Sequence, residues 1–286
     1  MPGEQHIYRS TADERAFEST HFKPEETHAR AKETIVECEI KPETFTGLYS
    51  AAMLERDAVE VSRRKESFEQ VPAKIYGDIL EAVALEHGEL SNWFGSNTEV
   101  IKTAPYDDIV NKIDMVVETE DADKRFSHLA LGLDITFGSR DLHRKFDNIR
   151  AKIDSGELGE IKYFHSDRQQ MTGRLRRVPM VVVGVEIERV KELGLLWMNR
   201  RNKELAAHPI QVTLLEECAE QLKAYAAYAA TKGKTYAQAL FERELQKINE
   251  LLEEKRKAGI KSVKQDKVFE EIRRNLASFN APTAAA

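Results

Sequence analysis

Two short apolar runs that each contain one aspartate constrain the fold of this chain more than any other feature. The runs are IDMVV, residues 113–117, and HLALGLDITF, residues 128–137, and their aspartates are Asp114 and Asp134. The polar segment ETEDADKRFS between them has the composition of a hairpin loop, so we predict two adjacent antiparallel strands. A carboxylate inside an apolar strand is costly unless it is exposed, paired or bound to a cation. Two such carboxylates on neighbouring strands therefore predict a shared metal ion.

The segments before these strands predict one helix and one further strand. Residues 72–88, PAKIYGDILEAVALEHG, predict a helix that begins near Pro72 and ends just before Gly88. The apolar stripe of this helix consists of Ile75, Ile79 and Val83. Glu81 lies on the far side of that stripe, a position that is typical of a solvated residue. Residues 98–103, TEVIKT, predict a strand.

The chain after Asp134 predicts a helix and two further strands. The helix covers roughly residues 140–154, and its buried stripe consists of Leu142, Phe146, Ile149 and Ile153. Residues 159–166 predict a strand, and the almost continuously apolar residues 177–187 predict a central strand. The arginine-rich segment between these strands predicts a loop. Residues 140–177 contain ten lysines and arginines against six acidic residues, which favours a phosphate-facing surface and a solvated basic loop about equally.

We divide the chain into three regions. Residues 1–71 predict a polar tail with a helical extension, and residues 72–200 predict an α/β core. Residues 201–286 predict two long amphipathic helices that meet at Gly233, a shorter helix and a disordered tail. The apolar faces of the long helices suit an antiparallel hairpin within the chain or the seam of a homodimer. Packing within the chain is the more common use of such a face.

Composition limits the classes of function. The chain has 43 lysines and arginines against 49 acidic residues, so a nucleic-acid binder of this composition needs a local basic surface. No apolar run resembles a leader or approaches the ~18 residues of a membrane span, and the two cysteines match no disulfide or zinc spacing. We therefore expect a cytoplasmic protein. The sequence patterns of serine hydrolases, zinc proteases and nucleotide-binding loops are absent.

The central region resembles a known superfamily in its order of elements and its acidic residues. Its helix, three strands, helix and further strands carry acidic residues on the first helix and on the second and third strands. Residues 72–187 thereby resemble the PD-(D/E)XK nuclease superfamily. The resemblance implies a restriction-endonuclease-like fold, a mixed central sheet flanked by helices, here with N- and C-terminal helical extensions. It also implies metal-dependent hydrolysis of phosphodiester bonds in nucleic acid, with DNA as the expected substrate, by an endonuclease or an exonuclease.

The resemblance assigns roles to individual residues. Glu81 in GDILE looks like the glutamate of the first helix, and Asp114 looks like the aspartate of the first motif, although no proline precedes it. Asp134 looks like the acidic residue of the second motif. Thr136 stands where the superfamily usually has a lysine. Some members supply that lysine from the following helix, and Lys145 is the candidate for it here.

These assignments imply a site for Mg²⁺ or Mn²⁺. Asp114 and Asp134 would bind the ion through carboxylate oxygens, with the backbone carbonyl of Ile135 as a third ligand and Glu81 acting directly or through water. A bound divalent ion lowers the pKa of a water ligand and offsets charge on the phosphate. Lys145 would stabilise charge in the transition state, and Thr136 would hydrogen-bond a water bound to the metal.

Alternatives remain open at this stage. Asp108 in the segment YDD competes with Asp114 for the first motif, but it falls outside the strand pattern, so we prefer Asp114. Asp114 and Asp134 also suit a purely structural pairing with Lys145, without a metal. Because Thr136 replaces the usual lysine, a catalytically inactive nuclease-fold protein that binds nucleic acid or serves in assembly is the alternative function.

Overall fold

The computed structural model describes residues 22–65, 74–134, 140–263 and 266–280 of the 286-residue chain. In chain order its elements are helices α1 (Pro24–Cys38), α2 (Ala51–Lys65) and α3 (Lys74–Leu90), strand β1 (Thr98–Lys102), helix α4 (Pro105–Ile109), strands β2 (Met115–Glu120) and β3 (Phe126–Asp134), helix α5 (Arg140–Ser155), strands β4 (Gly159–Ser166), β5 (Met171–Val178) and β6 (Met180–Gly184), and helices α6 (Ile187–Met198), α7 (Asn202–Ala206), α8 (Ile210–Thr231), α9 (Thr235–Lys257) and α10 (Lys267–Asn280). A short 3₁₀ helix at Pro42–Phe45 lies between α1 and α2.

A four-stranded mixed sheet forms the centre of the described fold, in the order β1-β2-β3-β6. The pairs β1–β2 and β2–β3 are antiparallel, which confirms the predicted pairing of the two aspartate-bearing runs. β6 pairs with β3 in parallel, and Asp134 lies opposite Gly184. Parallel pairing requires a crossover connection, which α5 and the β4–β5 hairpin supply. The fold is therefore mixed α/β, as the sequence predicts.

The two faces of the sheet pack against different layers, because side chains alternate along each strand. The face covered by helices α3, α5 and α8 contributes to the main core the residues Val100, Met115, Val117, Leu129 and Leu131. The opposite face contributes to a second layer the residues Ile101, Val116 and Ala130. Ile161 and Phe164 of β4 pack on this second layer. The β4–β5 hairpin, a separate two-stranded sheet, therefore covers the face that the helices leave open.

The segment between β4 and β6 is a strand, so the prediction of a loop is wrong. β5 pairs antiparallel with β4 between Gly159↔Val178 and Ser166↔Met171. Its Leu175 packs on the second apolar layer. Three of the eight residues of β5 are arginines, which made the segment resemble a solvated loop. An antiparallel strand with one solvated face accommodates such residues, because alternate side chains point to water.

β6 lies at the edge of the described sheet, whereas the sequence predicts a central strand. Helix α8 covers this edge. The Gln221 side chain accepts a hydrogen bond from the Val182 N–H at 2.9 Å and donates one to the Val182 carbonyl at 2.6 Å, as a neighbouring strand would. Glu217 accepts a hydrogen bond from the Gly184 N–H at 2.9 Å. β6 is therefore enclosed by a helix instead of by a strand, which explains its continuous apolar sequence.

Helix α3 extends to Leu90, so the predicted end just before Gly88 is wrong. Gly88 lies within the helix, and β1 passes directly against it, so this position has no room for a side chain. A Cβ at this position would overlap Val100 Cγ2 and lie 3.2 Å from Val100 Cβ. The glycine therefore permits close packing and does not end the helix. The predicted apolar stripe is confirmed, since Ile79 and Val83 are fully buried.

The helical regions before and after the α/β core share its apolar interior. Ala31 of α1 and Phe279 of α10 belong to the same buried cluster as the sheet. The two long helices that meet at Gly233 and the shorter helix after them are confirmed as α8, α9 and α10. The homodimer seam stays a prediction. The N-terminal tail is expected over residues 1–25, but the first helix begins at Pro24, and residues 1–21 and 281–286 lie outside the described residues. No helix among the described residues combines the length and the apolar character needed to cross a membrane.

Two glycine substitutions on α3 test this packing. Gly88→Ala should lower the free energy of unfolding by about 1–3 kcal/mol, because the new methyl group meets the stiff, β-branched Val100. Gly77→Ala is the matched control, because a Cβ there meets no atom within 4 Å. It should raise the free energy of unfolding by about 0.5–1 kcal/mol through helix propensity. Urea denaturation measures both effects, and equal shifts for the two variants would contradict the packing.

Candidate functional site

Three strand ends bring polar residues to one edge of the sheet. Lys102 ends β1, Asp114 comes directly before β2, and Asp134 ends β3. Because β1 and β3 run antiparallel to β2, these positions lie at the same end of the sheet. Backbone hydrogen bonds fix Asp114 there. Its N–H donates to the Leu131 carbonyl at 2.9 Å, and its own carbonyl accepts from the Thr103 N–H at 3.3 Å.

A glycine in β3 allows the loop before β2 to come close. A Cβ on Gly132 would lie 3.2 Å from the carbonyl oxygen of Lys112 and 3.9 Å from Asp114 Oδ2. Asp134 follows two residues later in the same strand. The Asp114 carboxylate therefore lies beside the backbone of the strand that carries Asp134.

Two helices add carboxylates at this edge. Glu81 belongs to α3, and Asp108 belongs to the short helix α4 that follows β1. Both contact the Lys102 ammonium, whose Nζ lies 2.8 Å from Glu81 Oε1 and 2.8 Å from Asp108 Oδ2. The same ammonium donates a hydrogen bond to the carbonyl oxygen of Asp114 at 3.2 Å. We refer to Glu81, Asp108 and Asp114 around Lys102 as the carboxylate cluster.

The carboxylate cluster is closed on the side of the core and open on the side of solvent. The Lys102 side chain is 0% exposed and the Glu81 side chain 10%. The Asp108 side chain is 29% exposed, and Asp114 is half-buried. Lys112, in the loop between Asp108 and Asp114, is exposed. A small ligand can therefore reach the aspartates from solvent, whereas Lys102 forms the buried base of the cluster.

The charges of the cluster shift the pKa values of its members. Burial raises the pKa of Glu81 to about 8, and the negative charges of Asp108 and Asp114 act in the same direction, although the Lys102 ammonium opposes them. Burial works to lower the pKa of Lys102, but the three carboxylates raise it well above its ordinary value. Burial also works to raise the pKa of Asp108, yet the Lys102 charge and hydrogen bonds from Lys102 and Asp114 hold it below its ordinary value. The lysine thus stays charged, and Glu81 binds a proton at neutral pH.

The donor atoms of the cluster are carboxylate oxygens, the type of atom that a hard divalent cation prefers. Glu81 Oε1 is buried, and the Lys102 ammonium contacts it at 2.8 Å. Carboxylate oxygens are the ligands that Mg²⁺ and Mn²⁺ prefer. Within the described part of the chain no group of three or more histidine, cysteine or acidic side chains has the geometry of a metal site. Only the backbone of Asp134 is described, so the predicted pair of Asp114 and Asp134 is not part of that result.

The structure brings together only some of the predicted site residues. Glu81 and Asp114 lie in the carboxylate cluster. Glu81 is buried, so the expectation of a solvated helix residue is wrong, because α3 packs against the end of β1. Lys145 lies half-buried on α5. Partial burial of Lys112 lowers the pKa of its ammonium, and the positive charge of Lys145 acts in the same direction. Ile135 and Thr136 lie outside the described residues, and of Asp134 only the backbone is described.

Sequence reasoning missed one residue and set another aside. Asp108, which ranked behind Asp114 because it falls outside a strand, contacts the same ammonium as Glu81. The two aspartates are therefore neighbours and not alternatives. Lys102 was not singled out at all. Its signal in the sequence is a lysine at the end of the apolar strand TEVIK, a position where a charge needs a buried partner.

Comparison with known proteins assigns the chain to no family. No protein-family model matches it, and no match is found among curated proteins or among solved structures. The interpretation of the carboxylate cluster therefore rests on the geometry and charges of this chain.

The raised pKa of Glu81 predicts a pH-dependent stability. The unfolded chain has the ordinary glutamate pKa of 4.5, against about 8 in the folded protein, so the folded state binds the extra proton between these values. Its contribution to stability is therefore complete below pH 4.5 and is lost as the pH rises towards 8. Glu81→Gln should remove this loss, so that the variant gains stability relative to the unmodified chain between pH 5 and pH 8.5.

Urea denaturation in EDTA at those two pH values measures the effect. Glu89→Gln is the matched control, because Glu89 is exposed on the same helix. The control should follow the unmodified chain at both pH values. Parallel pH dependence of Glu81→Gln and the unmodified chain would show that Glu81 does not hold the extra proton.

Proposed function

We propose that this chain is a metal-dependent nuclease that hydrolyses phosphodiester bonds in nucleic acid, with DNA as its substrate. The observation that carries the proposal is the carboxylate cluster. Three carboxylates surround one buried ammonium at a sheet edge that solvent reaches, and the strand that ends with Asp134 lies beside them. Because Glu81 is protonated at neutral pH, the Lys102 ammonium faces the two aspartates and balances one of them, so the cluster attracts a further cation.

The arrangement of elements supports the same proposal. Apart from the short helix α4, the elements α3, β1, β2, β3 and α5 follow one another in the order on which the resemblance to the PD-(D/E)XK superfamily rests, and the central sheet is mixed, as that resemblance implies. Glu81 lies on the helix before the sheet, and Asp114 and Asp134 lie where β2 begins and β3 ends. We therefore propose the restriction-endonuclease-like fold as the finer description of this α/β architecture.

In this proposal each carboxylate has a separate task. Asp114 and Asp134 would hold Mg²⁺ or Mn²⁺, with the backbone carbonyl of Ile135 and the Glu81 carboxylate as further ligands. A bound divalent ion supplies a water of lowered pKa and neutralises charge on the phosphate. Asp108 anchors the Lys102 ammonium at 2.8 Å, so the lysine stays bound in the cluster. Thr136 would hydrogen-bond a water ligand of the ion.

Two lysines divide the role of the usual catalytic lysine. The Lys102 side chain is 0% exposed, so it does not reach a substrate and acts by positioning Glu81 and Asp108. Lys145 on α5 is half-buried, and its charge acts on Lys112 in the loop beside the aspartates. We therefore assign the stabilisation of transition-state charge to Lys145.

A catalytically inactive nuclease-fold protein, acting in nucleic-acid binding or assembly, is the second candidate. The position of the Lys102 ammonium favours it, because the ammonium already lies between Glu81 and Asp108 at 2.8 Å from each. A lysine that stays paired with both carboxylates reduces their need for a metal ion. Thr136 in place of the usual lysine favours the same candidate.

Substitution of the metal-binding aspartates tests the two candidates. Asp114→Asn and Asp134→Asn should each lower the rate of DNA cleavage by about 100-fold or more, because each removes a charged ligand of the ion. Single- and double-stranded DNA and RNA are incubated with Mg²⁺, Mn²⁺ or EDTA, and the products are separated on denaturing gels. Asp147→Asn is the matched control, since this aspartate is exposed on α5.

The outcomes separate an enzyme from an inactive protein. Cleavage that requires the metal, persists in Asp147→Asn and disappears in the other two variants supports the nuclease. Absence of cleavage by the unmodified chain with every substrate and metal would overturn the catalytic proposal. Retained binding of nucleic acid in that case would support the inactive candidate.

Removal of the Lys145 charge tests the division of roles between the two lysines. Lys145→Gln should lower the cleavage rate by about 10²-fold at saturating Mg²⁺ and leave the free energy of unfolding nearly unchanged, because the residue is half-buried. Lys223→Gln on α8 is the matched control, because Lys223 is exposed in the C-terminal helices. Unchanged single-turnover cleavage by Lys145→Gln would show that the active site does not use this lysine.

A further inference from the structure

The β4–β5 hairpin presents an unusually basic strand on the surface of the molecule. β5 has the sequence MTGRLRRV, which contains three arginines and no acidic residue. The neighbouring strand β4 buries Ile161 and Phe164 against the central sheet, so the hairpin is fixed by its inner face. The arginines of β5 are half-buried or exposed. We refer to the two strands β4 and β5 as the β-ribbon.

Two arginines of the β-ribbon share a single carboxylate. Arg174 Nη1 lies 3.2 Å from Glu160 Oε1, and Arg176 Nε lies 3.8 Å from Glu160 Oε2. The Arg176 side chain is 68% exposed. One carboxylate balances one of these two positive charges. Two guanidinium groups also offer about ten N–H donors, more than Glu160 accepts. The pair therefore has a surplus of charge and of donors toward solvent.

The third arginine of the strand has a different partner. The Arg177 guanidinium lies over the Tyr236 ring of α9, 5.2 Å from its centroid. Its backbone has a φ of 60°, which redirects the chain before β6. Arg177 thus joins the β-ribbon to α9, and we do not include it in the surface formed by Arg174 and Arg176.

The β-ribbon is tied to the carboxylate cluster through α4. Asp107 of α4 accepts hydrogen bonds from the backbone N–H groups of Lys162 and Tyr163 in β4, at 2.8 and 2.9 Å. The next residue, Asp108, contacts the Lys102 ammonium. Two adjacent side chains of one short helix therefore hold the β-ribbon on one side and the carboxylate cluster on the other. Arg174 also lies beside Tyr49, whose hydroxyl donates to the Lys162 carbonyl at 2.9 Å.

We infer that Arg174 and Arg176 form the surface on which the phosphate backbone of the nucleic-acid substrate lies as it enters the carboxylate cluster. The inference rests on the proposed nuclease function for the identity of the polyanion. Guanidinium groups bind phosphate oxygens through paired N–H donors, and a two-stranded ribbon presents them on a rigid support. The overall charge of the chain is −6, so this local basic surface supplies the attraction that the composition as a whole does not.

The salt dependence of binding tests this surface independently of catalysis. The full-length chain is titrated in EDTA, without cleavage, against a fluorescein-labelled 20-base-pair DNA duplex at several NaCl concentrations. Each phosphate contact adds about 0.9 to the magnitude of the slope of log K against log [NaCl]. Arg174→Gln/Arg176→Gln should therefore bind more weakly at low salt and lose about 2 from that magnitude. Arg174→Lys/Arg176→Lys keeps the charges and should retain most of the slope.

A matched double substitution controls for the loss of two charges. Arg273→Gln/Arg274→Gln removes two exposed arginines of α10, each paired with a glutamate. This helix packs in the main core on the helix-covered face of the sheet, away from the β-ribbon. The control variant should keep the slope of the unmodified chain. Thermal denaturation checks that both double variants remain folded.

The outcomes distinguish failure of this inference from failure of the proposed function. Metal-dependent cleavage by the unmodified chain, with equal salt slopes for the two double glutamine variants, would contradict the binding role of the β-ribbon. The proposal of a nuclease would remain supported. A slope that depends on the β-ribbon, without cleavage, would support the surface and overturn catalysis. Absence of DNA binding by the unmodified chain would overturn both.

Discussion

The buried ammonium of Lys102 is the interaction on which the arrangement at the sheet edge depends. An ammonium without partners in the interior costs several kcal/mol, so its position is stable only while its partners stay in place. Those partners are Glu81 on α3, Asp108 on α4 and the carbonyl of Asp114 before β2. One side chain on β1 thereby fixes three elements that are distant in sequence. The arrangement of the elements at this edge of the sheet therefore depends on the Lys102 charge as well as on the strand pairing.

The same ammonium leaves the edge with unbalanced negative charge. Three carboxylates converge on one lysine, and burial, together with the negative charges of Asp108 and Asp114, raises the pKa of Glu81. A proton on Glu81 and a divalent cation at the aspartates relieve the same repulsion in different ways. A metal bound at Asp114 would therefore favour the ionised form of Glu81. Under the proposed function, protonation of Glu81 and cation binding at the aspartates thus have one electrostatic origin.

The sequence predicts the parts of this fold that depend on local patterns. The antiparallel pair of aspartate-bearing runs, the apolar stripe of α3 and the helix pair around Gly233 follow from periodicity and turn residues. The exceptions depend on contacts between distant residues. Gly88 resembles a helix end because its close approach to Val100 is not visible in a one-dimensional pattern. β6 resembles a central strand because the side chain of Gln221, almost forty residues later, takes the place of a neighbouring strand.

The candidate site was predictable to the same degree and for the same reason. Asp114 could be found because it interrupts an apolar strand pattern. Glu81 became a candidate only through the resemblance, because its place on the helix predicts exposure to solvent. Lys102 could not, because its burial is explained only by carboxylates that three other segments supply. Helix α4 shows how much such tertiary contacts add to function. It is five residues long, yet its adjacent Asp107 and Asp108 hold β4 and Lys102. Because α4 contacts both, a displacement of α4 would move the basic β-ribbon and the carboxylate cluster together. Under the proposed function, this would couple the binding of a polyanion to the geometry of the acidic site.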